Sequence, residues 1–332
     1  MNNVNIINYK DNIDFIKIKA CDIEYTLCNF GASMYSLHFN NDPLILELES
    51  KDEFLTSPQF FNKTLGVVAG RIPSLIKLND KEYHLKEDGD NNFSLHGGKE
   101  TSISFKNFKY KIKEFKSKID VIFIYSPRKG ENGFPGKINI KIIYSLFKES
   151  NKFKIKLLSN VKEDSLINLS NHIYWNINKS KTINDYKLKF DAPRILKIDS
   201  NLLPIDKELT PNYLLFKRSK ALKSSLDIAS KKEIGTIDNT FIFNELNKKH
   251  KVTLKNEEYE IVMSTNYDAM NIYCDSSLTR VKFKNNPELK ERRAIALEPQ
   301  KSVIPLSNLI YKKNDKYNYF IEYKIKRRNY ND

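Results

Sequence analysis

Apolar and polar residues alternate over several short stretches of the chain. The alternation is clearest at residues 110–113, 138–142, 153–157 and 323–326. A period of two places Ile, Phe and Tyr on one face of a strand and Lys on the other, which is typical of antiparallel strands with one buried face. A fifth stretch, residues 121–125, is apolar throughout and predicts a strand that is covered on both faces.

Turn-forming residues separate these stretches, and few helical patterns lie between them. Only residues 50–55 and 219–226 have a pattern that predicts helices, each of one or two turns. Many strands at this spacing, with no linker rich in Pro and Ser, predict one all-β domain over residues 1–332, built as a large antiparallel β-sandwich. Residues 202–239 are predicted to form a long irregular loop, which in a compact domain is usually functional or lies at a rim.

Composition excludes several classes of protein. Hydrophobic residues make up 40% of the chain, and no apolar stretch approaches the ~18 residues that a membrane helix needs. The N-terminus has no basic segment followed by an apolar one, so the sequence predicts no secretory signal. The three cysteines, Cys21, Cys28 and Cys274, have no metal-like spacing and fit a reducing compartment. We therefore expect a cytoplasmic protein with no membrane partner, either a monomer or a homodimer.

The charge of the chain raises the question of nucleic-acid binding. There are 56 Lys and Arg against 41 Asp and Glu, a formal net charge of +15. Only nine of the 56 are Arg, the residue that recognises guanine and phosphate through two parallel hydrogen bonds. The lysines are spread along the whole chain, and the one dense basic cluster lies at residues 324–328. We interpret the charge as solvated surface and expect no nucleic-acid partner.

Five segments carry polar side chains that do not fit a strand pattern. In chain order, they hold Arg71, His96, His172 with the neighbouring Trp175, Asp238, and Glu298. Glu298 follows the apolar residues 294–297, and Pro299 is expected to end that strand. Taken singly, each residue has a structural explanation, such as a hydrogen-bonded histidine, a salt bridge, a turn cap or a solvated strand end.

Common site motifs are absent from the sequence. The five histidines form neither a His-x-His nor a His-x-x-x-His pair, so no metal site is predicted. The chain has no glycine-rich phosphate loop and no G-x-S-x-G segment, which removes nucleotide-binding and α/β-hydrolase interpretations.

In combination, the polar segments resemble the aldose 1-epimerase (galactose mutarotase) family. The matching segments, in family order, are GVVAGRI at 66–72, NFSLHGG at 92–98, SPRKGENGFPG at 126–136, NLSNHIYWN at 168–176, DNTF at 238–241 and LEPQ at 297–300. The third and fourth of these are the most specific. Val67 stands where the family has an Arg, which leaves Arg71 alone in the first segment. That departure bears on sugar specificity rather than on the chemistry.

The resemblance implies a mutarotase that interconverts the α and β anomers of free hexoses such as galactose or glucose. It implies Glu298 as the base and His172 as the acid, with His96 polarising the ring oxygen. It also implies that Arg71 and Asp238 bind sugar hydroxyls. Trp175 or Phe241 would offer an aromatic face to the sugar ring. Proton transfer and bond rotation need neither a metal nor an organic cofactor.

Two other functions remain open at this stage. A hexose-6-phosphate 1-epimerase would need a cluster of Arg or Lys near the site, and Val67 removes one such residue. A sugar-binding module without turnover would share the fold but would not need both proton-transfer residues.

Overall fold

The computed structural model of the protein describes residues 3–57, 59–88, 92–98, 102–177, 182–275, 282–284 and 292–328. Antiparallel strands dominate these residues, as the alternation predicts. The N-terminal strands pair in chain order to form a five-stranded sheet, with β1 (Val4–Asn8), β2 (Asp14–Ala20), β3 (Ile23–Cys28), β4 (Ser33–Phe39) and β5 (Asp42–Pro43).

Short elements follow this sheet. They are α1 (Lys51–Thr56), β6 (Thr64–Leu65), β7 (Arg71–Pro73), β8 (Leu75–Leu78), β9 (Lys81–His84) and β10 (Phe93–Leu95). The predicted helix at 50–55 is confirmed as α1, which begins after Ser50 because the Ser50 side chain accepts a hydrogen bond from the Glu53 N–H. β7 pairs with β10, and β8 pairs with β9.

Long strands then alternate with short ones. The first group is β11 (Lys109–Glu114), β12 (Lys118–Tyr125), β13 (Ile138–Phe147), β14 (Lys152–Val161), β15 (Ser165–Leu166), β16 (Ser170–Asn171) and β17 (Tyr174–Trp175). The second group is β18 (Lys187–Lys189), β19 (Arg194–Ile198), β20 (Pro204–Leu209), β21 (Lys220–Ala221), α2 (Leu222–Ala229) and β22 (Asp238–Ile242). The third group is β23 (His250–Lys255), β24 (Tyr259–Thr265), β25 (Ala269–Cys274), β26 (Ile295–Gln300), β27 (Ile310–Tyr311) and β28 (Lys316–Arg327).

These strands build two further large sheets. A nine-stranded sheet has the order β11-β12-β13-β14-β28-β24-β23-β18-β21, so β28 lies between β14 and β24. A six-stranded sheet has the order β17-β26-β25-β22-β19-β20. All five alternating or apolar stretches recognised in the sequence lie in strands of the nine-stranded sheet.

The nine-stranded sheet packs against the other two, which makes a sandwich. Tyr25 of the five-stranded sheet contacts Phe153 with ring centroids 6.0 Å apart, and Trp175 of the six-stranded sheet lies 5.0 Å from Tyr323. One continuous cluster of buried hydrophobic side chains includes residues from all three sheets. The segment that follows the five-stranded sheet reaches the edge of the six-stranded sheet, where the Leu46 N–H donates to the Tyr174 carbonyl oxygen of β17.

Two expectations from the sequence are wrong. Residues 202–239 are not an irregular loop, because they contain β20, β21 and α2. The residues of β20 are mostly exposed and lack the apolar alternation that would reveal a strand. Pro299 does not end its strand, since β26 continues to Gln300. The missing N–H of Pro299 costs no ladder bond to β17, which pairs only with Ile295 and Ala296.

The second helix begins three residues later than predicted, at Leu222 instead of residue 219. Within the described part of the chain, no helix combines the length and the apolar character needed to cross a membrane.

Candidate active site

A cavity of about 270 Å³ opens over one face of the six-stranded sheet. Alternation along three neighbouring strands places Asp238 of β22, Asn271 of β25 and Glu298 of β26 toward it. Sites for small molecules typically have volumes of roughly 300–1,000 Å³. The cavity therefore suits a ligand about the size of a monosaccharide.

The turn after β10 brings His96 beside the segment that precedes Arg71. The Gly70 N–H donates to His96 Nδ1 over 3.2 Å, and the His96 N–H donates to the Gly70 carbonyl oxygen over 3.1 Å. A neutral imidazole that accepts at Nδ1 carries its proton on Nε2, so His96 can only donate through that nitrogen. Gly97 allows this turn, because its φ is +87° and a Cβ there would lie 2.2 Å from the Gly66 carbonyl oxygen.

His172 and Glu298 form the most deeply buried polar contact of the cavity. His172 Nε2 lies 3.3 Å from Glu298 Oε1, and the side chains are 7% and 1% exposed. No hydrogen bond of standard geometry reaches either carboxylate oxygen of Glu298 among the described residues, although the Asn271 amide lies close enough to lower the pKa of Glu298 in part. Burial raises the pKa of Glu298 to about 8, and the nearby Asp238 adds to this increase. Burial lowers the pKa of His172 to about 4.

Between those two pKa values, the His172–Glu298 pair holds one proton. Such a pair can give a proton at one position and take one at another without changing its total charge. His96 lies beside the pair, with its ring centroid 5.7 Å from that of His172. Burial holds the pKa of His96 well below its ordinary value, and His172 and Arg71 also lower it. The neutral ring is therefore a hydrogen-bond donor rather than a cation at neutral pH.

A second polar group faces the same space. Arg71 Nη2 donates to Asp238 Oδ2 over 2.9 Å, and Asn271 Nδ2 donates to Asp238 Oδ1 over 3.2 Å. The Thr240 hydroxyl donates to Asn271 Oδ1 over 3.1 Å. Together, these side chains offer fixed donors and acceptors next to the His172–Glu298 pair, which is what recognition of several hydroxyl groups needs.

His96, His172 and Glu298 each offer one possible metal-ligand atom, all within 4.8 Å of one another. However, Nδ1 of His96 is occupied by the Gly70 N–H and Nε2 then carries the proton. A metal at either nitrogen would have to break this arrangement, so we assign no metal to the cluster.

The structure brings together five of the six residues singled out in the sequence. Arg71, His96, His172, Asp238 and Glu298 all line the cavity. Trp175 does not, because successive residues of a strand point to opposite faces and Tyr174 takes the cavity side. The Trp175 ring is fully buried against Tyr323 in the sandwich core.

The alternative aromatic residue, Phe241, is also placed in the core, 5.0 Å from the ring of Phe190. Like Trp175, it lies on the far side of its strand, since Asp238 and Thr240 face the cavity. Neither residue therefore presents an aromatic face to a ligand in the cavity.

Sequence reasoning missed the aromatic and apolar lining of the cavity. Phe60 packs edge-on against His96, and Tyr174 stacks on His172 with ring centroids 4.6 Å apart. The hairpin of β19 and β20 adds an apolar wall that includes Leu196 and Ile198. Phe60 and the wall lie outside the motif segments, so only the tertiary fold reveals them. Tyr174 lies within a motif segment, and the alternation of side chains along β17 is the signal that could have placed it on the cavity side.

The cavity thus combines a buried acid–base pair with an Arg–Asp pair and a side-chain amide, which suits proton transfer on a ligand that carries several hydroxyl groups. The model of the family described as Aldose 1-epimerase matches residues 14–324. The chain therefore belongs to the aldose 1-epimerase family, whose members are isomerases.

Curated relatives carry corresponding names. The chain is 24% identical to the aldose 1-epimerase of Haemophilus influenzae over 257 residues, which cover 75% of this chain and 74% of that protein. It is 28% identical to human galactose mutarotase over 164 residues, which cover 48% of this chain and 46% of that protein. The second alignment thus spans less than half of either protein.

Solved structures share the fold over nearly the whole chain. A galactose 1-epimerase from Lactobacillus acidophilus superposes with a TM-score of 0.87 at 20% identity, covering 98% of this chain and 99% of that one. An aldose epimerase homologue from C. elegans superposes with a TM-score of 0.83 at 25% identity, covering 95% and 99%. These likenesses confirm the predicted large antiparallel β-sandwich.

Proposed function

We propose that the chain is a single-domain mutarotase that interconverts the α and β anomers of a free hexose such as galactose or glucose. The observation that carries the proposal is the buried His172–Glu298 contact of 3.3 Å inside a cavity of monosaccharide size. Family membership supplies the reaction class, and this contact supplies the two groups that the reaction needs.

Anomer exchange proceeds through the open-chain aldehyde. In the one-proton form that carries the proton on His172 and leaves Glu298 ionised, Glu298 takes the proton of the C1 hydroxyl while the His172 imidazolium gives a proton to the ring oxygen, and the bond between C1 and the ring oxygen breaks. The hydroxyl oxygen and the ring oxygen are both bonded to C1, so two side chains in direct contact can exchange protons with both oxygens. Rotation about the C1–C2 bond and closure with the proton transfers reversed yield the other anomer.

The remaining polar groups bind and orient the sugar in this proposal. His96 donates from Nε2 to the ring oxygen, which favours cleavage of the bond to C1. The Arg71 guanidinium and the Asp238 carboxylate bind ring hydroxyls, because one supplies donors and the other acceptors. Tyr174 and Phe60 keep the two imidazole rings in place by packing against them.

The test is anomer exchange followed by proton NMR. Freshly dissolved α-D-glucose and α-D-galactose are monitored with and without the protein, and with the Glu298→Gln variant. We expect the protein to accelerate exchange of at least one sugar and the variant to lose that acceleration. If sugars bind but exchange at the spontaneous rate, the protein is a binding module and the proposal is wrong.

The rate should depend on pH with two limbs. The His172–Glu298 pair holds one proton between about pH 4 and about pH 8, following the pKa values of the two groups. We therefore expect kcat/KM to fall below about pH 4 and above about pH 8, measured over a range in which the protein stays folded. A kcat/KM that is flat across pH 7–9 would contradict the role of Glu298.

Free sugars should be better substrates than sugar phosphates. No Lys is among the described residues that line the cavity, and the one Arg among those residues, Arg71, is already paired with Asp238. An unmatched charged group costs about 1–3 kcal/mol or more, so kcat/KM for glucose 6-phosphate should be at least about fivefold below that for glucose. The comparison uses NMR exchange rates at equal ionic strength. A preference for the phosphate would favour the hexose-6-phosphate 1-epimerase function instead.

A further inference from the structure

Asn168 is fully buried and lies where three segments of the candidate active site meet. One segment leads through Ala69 to Arg71, a second runs from Asn168 to His172, and a third ends β26 and continues to Lys301, three residues after Glu298. Asn168 lines no cavity described above, and its role is not explained by proton transfer or sugar binding.

The Asn168 side chain forms hydrogen bonds to the backbone of the other two segments through both its amide nitrogen and its carbonyl oxygen. Its Nδ2 donates to the Ala69 carbonyl oxygen over 3.3 Å and to the Lys301 carbonyl oxygen over 3.1 Å. Its Oδ1 accepts from the Lys301 N–H over 2.9 Å. Two carbonyl oxygens and one N–H define the orientation of the amide, and only a carboxamide supplies both donors and the acceptor at this size.

The backbone of Asn168 makes the same connection. The Asn168 N–H donates to the Val67 carbonyl oxygen over 2.9 Å, and the Ala69 N–H donates to the Asn168 carbonyl oxygen over 2.6 Å. Asn168 thus fixes the segment before Arg71 twice, through its backbone and its side chain, and holds the residue after Gln300 by two further hydrogen bonds.

We propose that Asn168 is a positioning residue that sets the relative placement of Glu298, His172 and Arg71. It touches no reacting atom and acts through the backbone of Ala69 and Lys301. A displacement of about 1 Å within a catalytic group can cost about 10²-fold in rate, so the effect on turnover is expected to be large. The kinetic part of this proposal rests on the proposed mutarotase function.

The chain offers a matched control in Asn29. Its Oδ1 accepts from the Asp14 N–H over 2.8 Å, and its Nδ2 donates to the carbonyl oxygens of Asn12 and Phe108 over 2.9 and 3.5 Å. Asn29 is 4% exposed and does not line the cavity. It therefore has the same bonding pattern as Asn168 but joins parts of the fold that carry no candidate site residue.

The experiment compares Asn168→Asp with Asn29→Asp at a temperature where cooperative thermal unfolding shows both to be folded. An ionised Asp has no donor. At position 168, a carboxylate oxygen would therefore lie against the carbonyl oxygens of Ala69 and Lys301, and all of these atoms are acceptors. We expect kcat to fall about 10²-fold in Asn168→Asp and less than twofold in Asn29→Asp. The loss in Asn168→Asp should diminish as the pH is lowered, because a protonated carboxyl regains one donor.

A second measurement does not depend on turnover. The chain has five histidines, whose imidazole signals can be resolved in long-range ¹H–¹⁵N NMR spectra. Asn168→Asp should move the signals of His172 and His96 and leave that of His38 in place, whereas Asn29→Asp should leave the signals of His172 and His96 unchanged. If Asn168→Asp does not fold, Asn168→Ser, whose single hydroxyl replaces only part of the hydrogen bonding of the carboxamide, takes its place with the same expectations for kcat and for the imidazole signals.

The outcomes separate the two proposals. Shifted His172 and His96 signals without any wild-type turnover would overturn the mutarotase function and support the positioning role. Unchanged imidazole signals in a folded Asn168 variant would overturn the positioning role, whatever the turnover of the wild-type protein. Equal losses of kcat in the Asn168 and Asn29 variants would also overturn it.

Discussion

Replacing Glu298 by Gln should reduce kcat for anomer exchange by about 10³-fold, because general acid–base groups contribute roughly 10²–10⁴-fold. Gln has nearly the same shape as Glu, so it fills the buried position in β26 without leaving a cavity. It cannot take the C1 hydroxyl proton at any pH of interest. The measurement is the exchange rate of the preferred hexose by NMR, at saturating and at low sugar concentrations.

Glu47→Gln is the matched control for this variant. Glu47 is 2% exposed and pairs over 2.7 Å with His38, whose side chain is 26% exposed, so Glu47 too is a buried carboxylate in contact with an imidazole, but it does not line the cavity. We expect an unchanged kcat for Glu47→Gln. If the two variants lose similar activity, Glu298 has no specific role in proton transfer.

Stability distinguishes loss of chemistry from loss of fold. The folded protein raises the pKa of Glu298 from 4.5 to about 8, so it binds this proton more tightly than the unfolded chain does. Folding stability from this group is therefore present below about pH 4.5 and is lost as pH rises toward 8. Glu298→Gln lacks that loss, and its melting temperature relative to wild type should increase across this pH range.

Replacing His172 by Gln should reduce kcat by about 10²-fold or more, since the ring oxygen then loses its proton donor. The backbone N–H of His172 donates a hydrogen bond to the Lys63 carbonyl oxygen. Its imidazole ring is held by the stacked Tyr174 ring and by the contact with Glu298. Gln keeps a hydrogen-bonding group near this position but does not exchange protons. We expect sugar binding, measured by titration calorimetry, to change far less than kcat.

His38→Gln serves as the corresponding control, because it removes the imidazole of the Glu47 pair away from the cavity. Near-normal turnover in His172→Gln would show that another group, with His96 the nearest imidazole, protonates the ring oxygen. Activity in the His96→Gln variant would then decide between the two histidines.

Much of this site follows from local sequence, because its polar residues interrupt an otherwise regular alternation. Glu298, Asp238 and His172 are visible as polar groups in or next to apolar strands, and the motif order relates them to one family. Their convergence is not visible, since it depends on β22, β25 and β26 being neighbours in one sheet. That order follows from long-range pairing, which no periodicity in the sequence encodes.

The errors have equally specific causes. Trp175 lies on the far side of its strand because the pairing of β17 with β26, which the motif does not reveal, turns Tyr174 toward the cavity instead. The sequence does not reveal strand β20, because a mostly exposed strand at the edge of a sheet needs no apolar alternation. Pro299 does not end β26, because a missing N–H is costly only where a partner strand lies opposite and β17 does not extend that far.

The position of β28 has a consequence for how the chain is made. The strand nearest the C-terminus among the described residues pairs with β14 on one side and β24 on the other, along most of its 12 residues. During translation, both neighbours leave the ribosome first and keep open edges until residues 316–327 follow. Translation that ends before residue 316 would therefore give a chain with two unpaired strand edges, which is prone to aggregate, rather than a smaller functional protein.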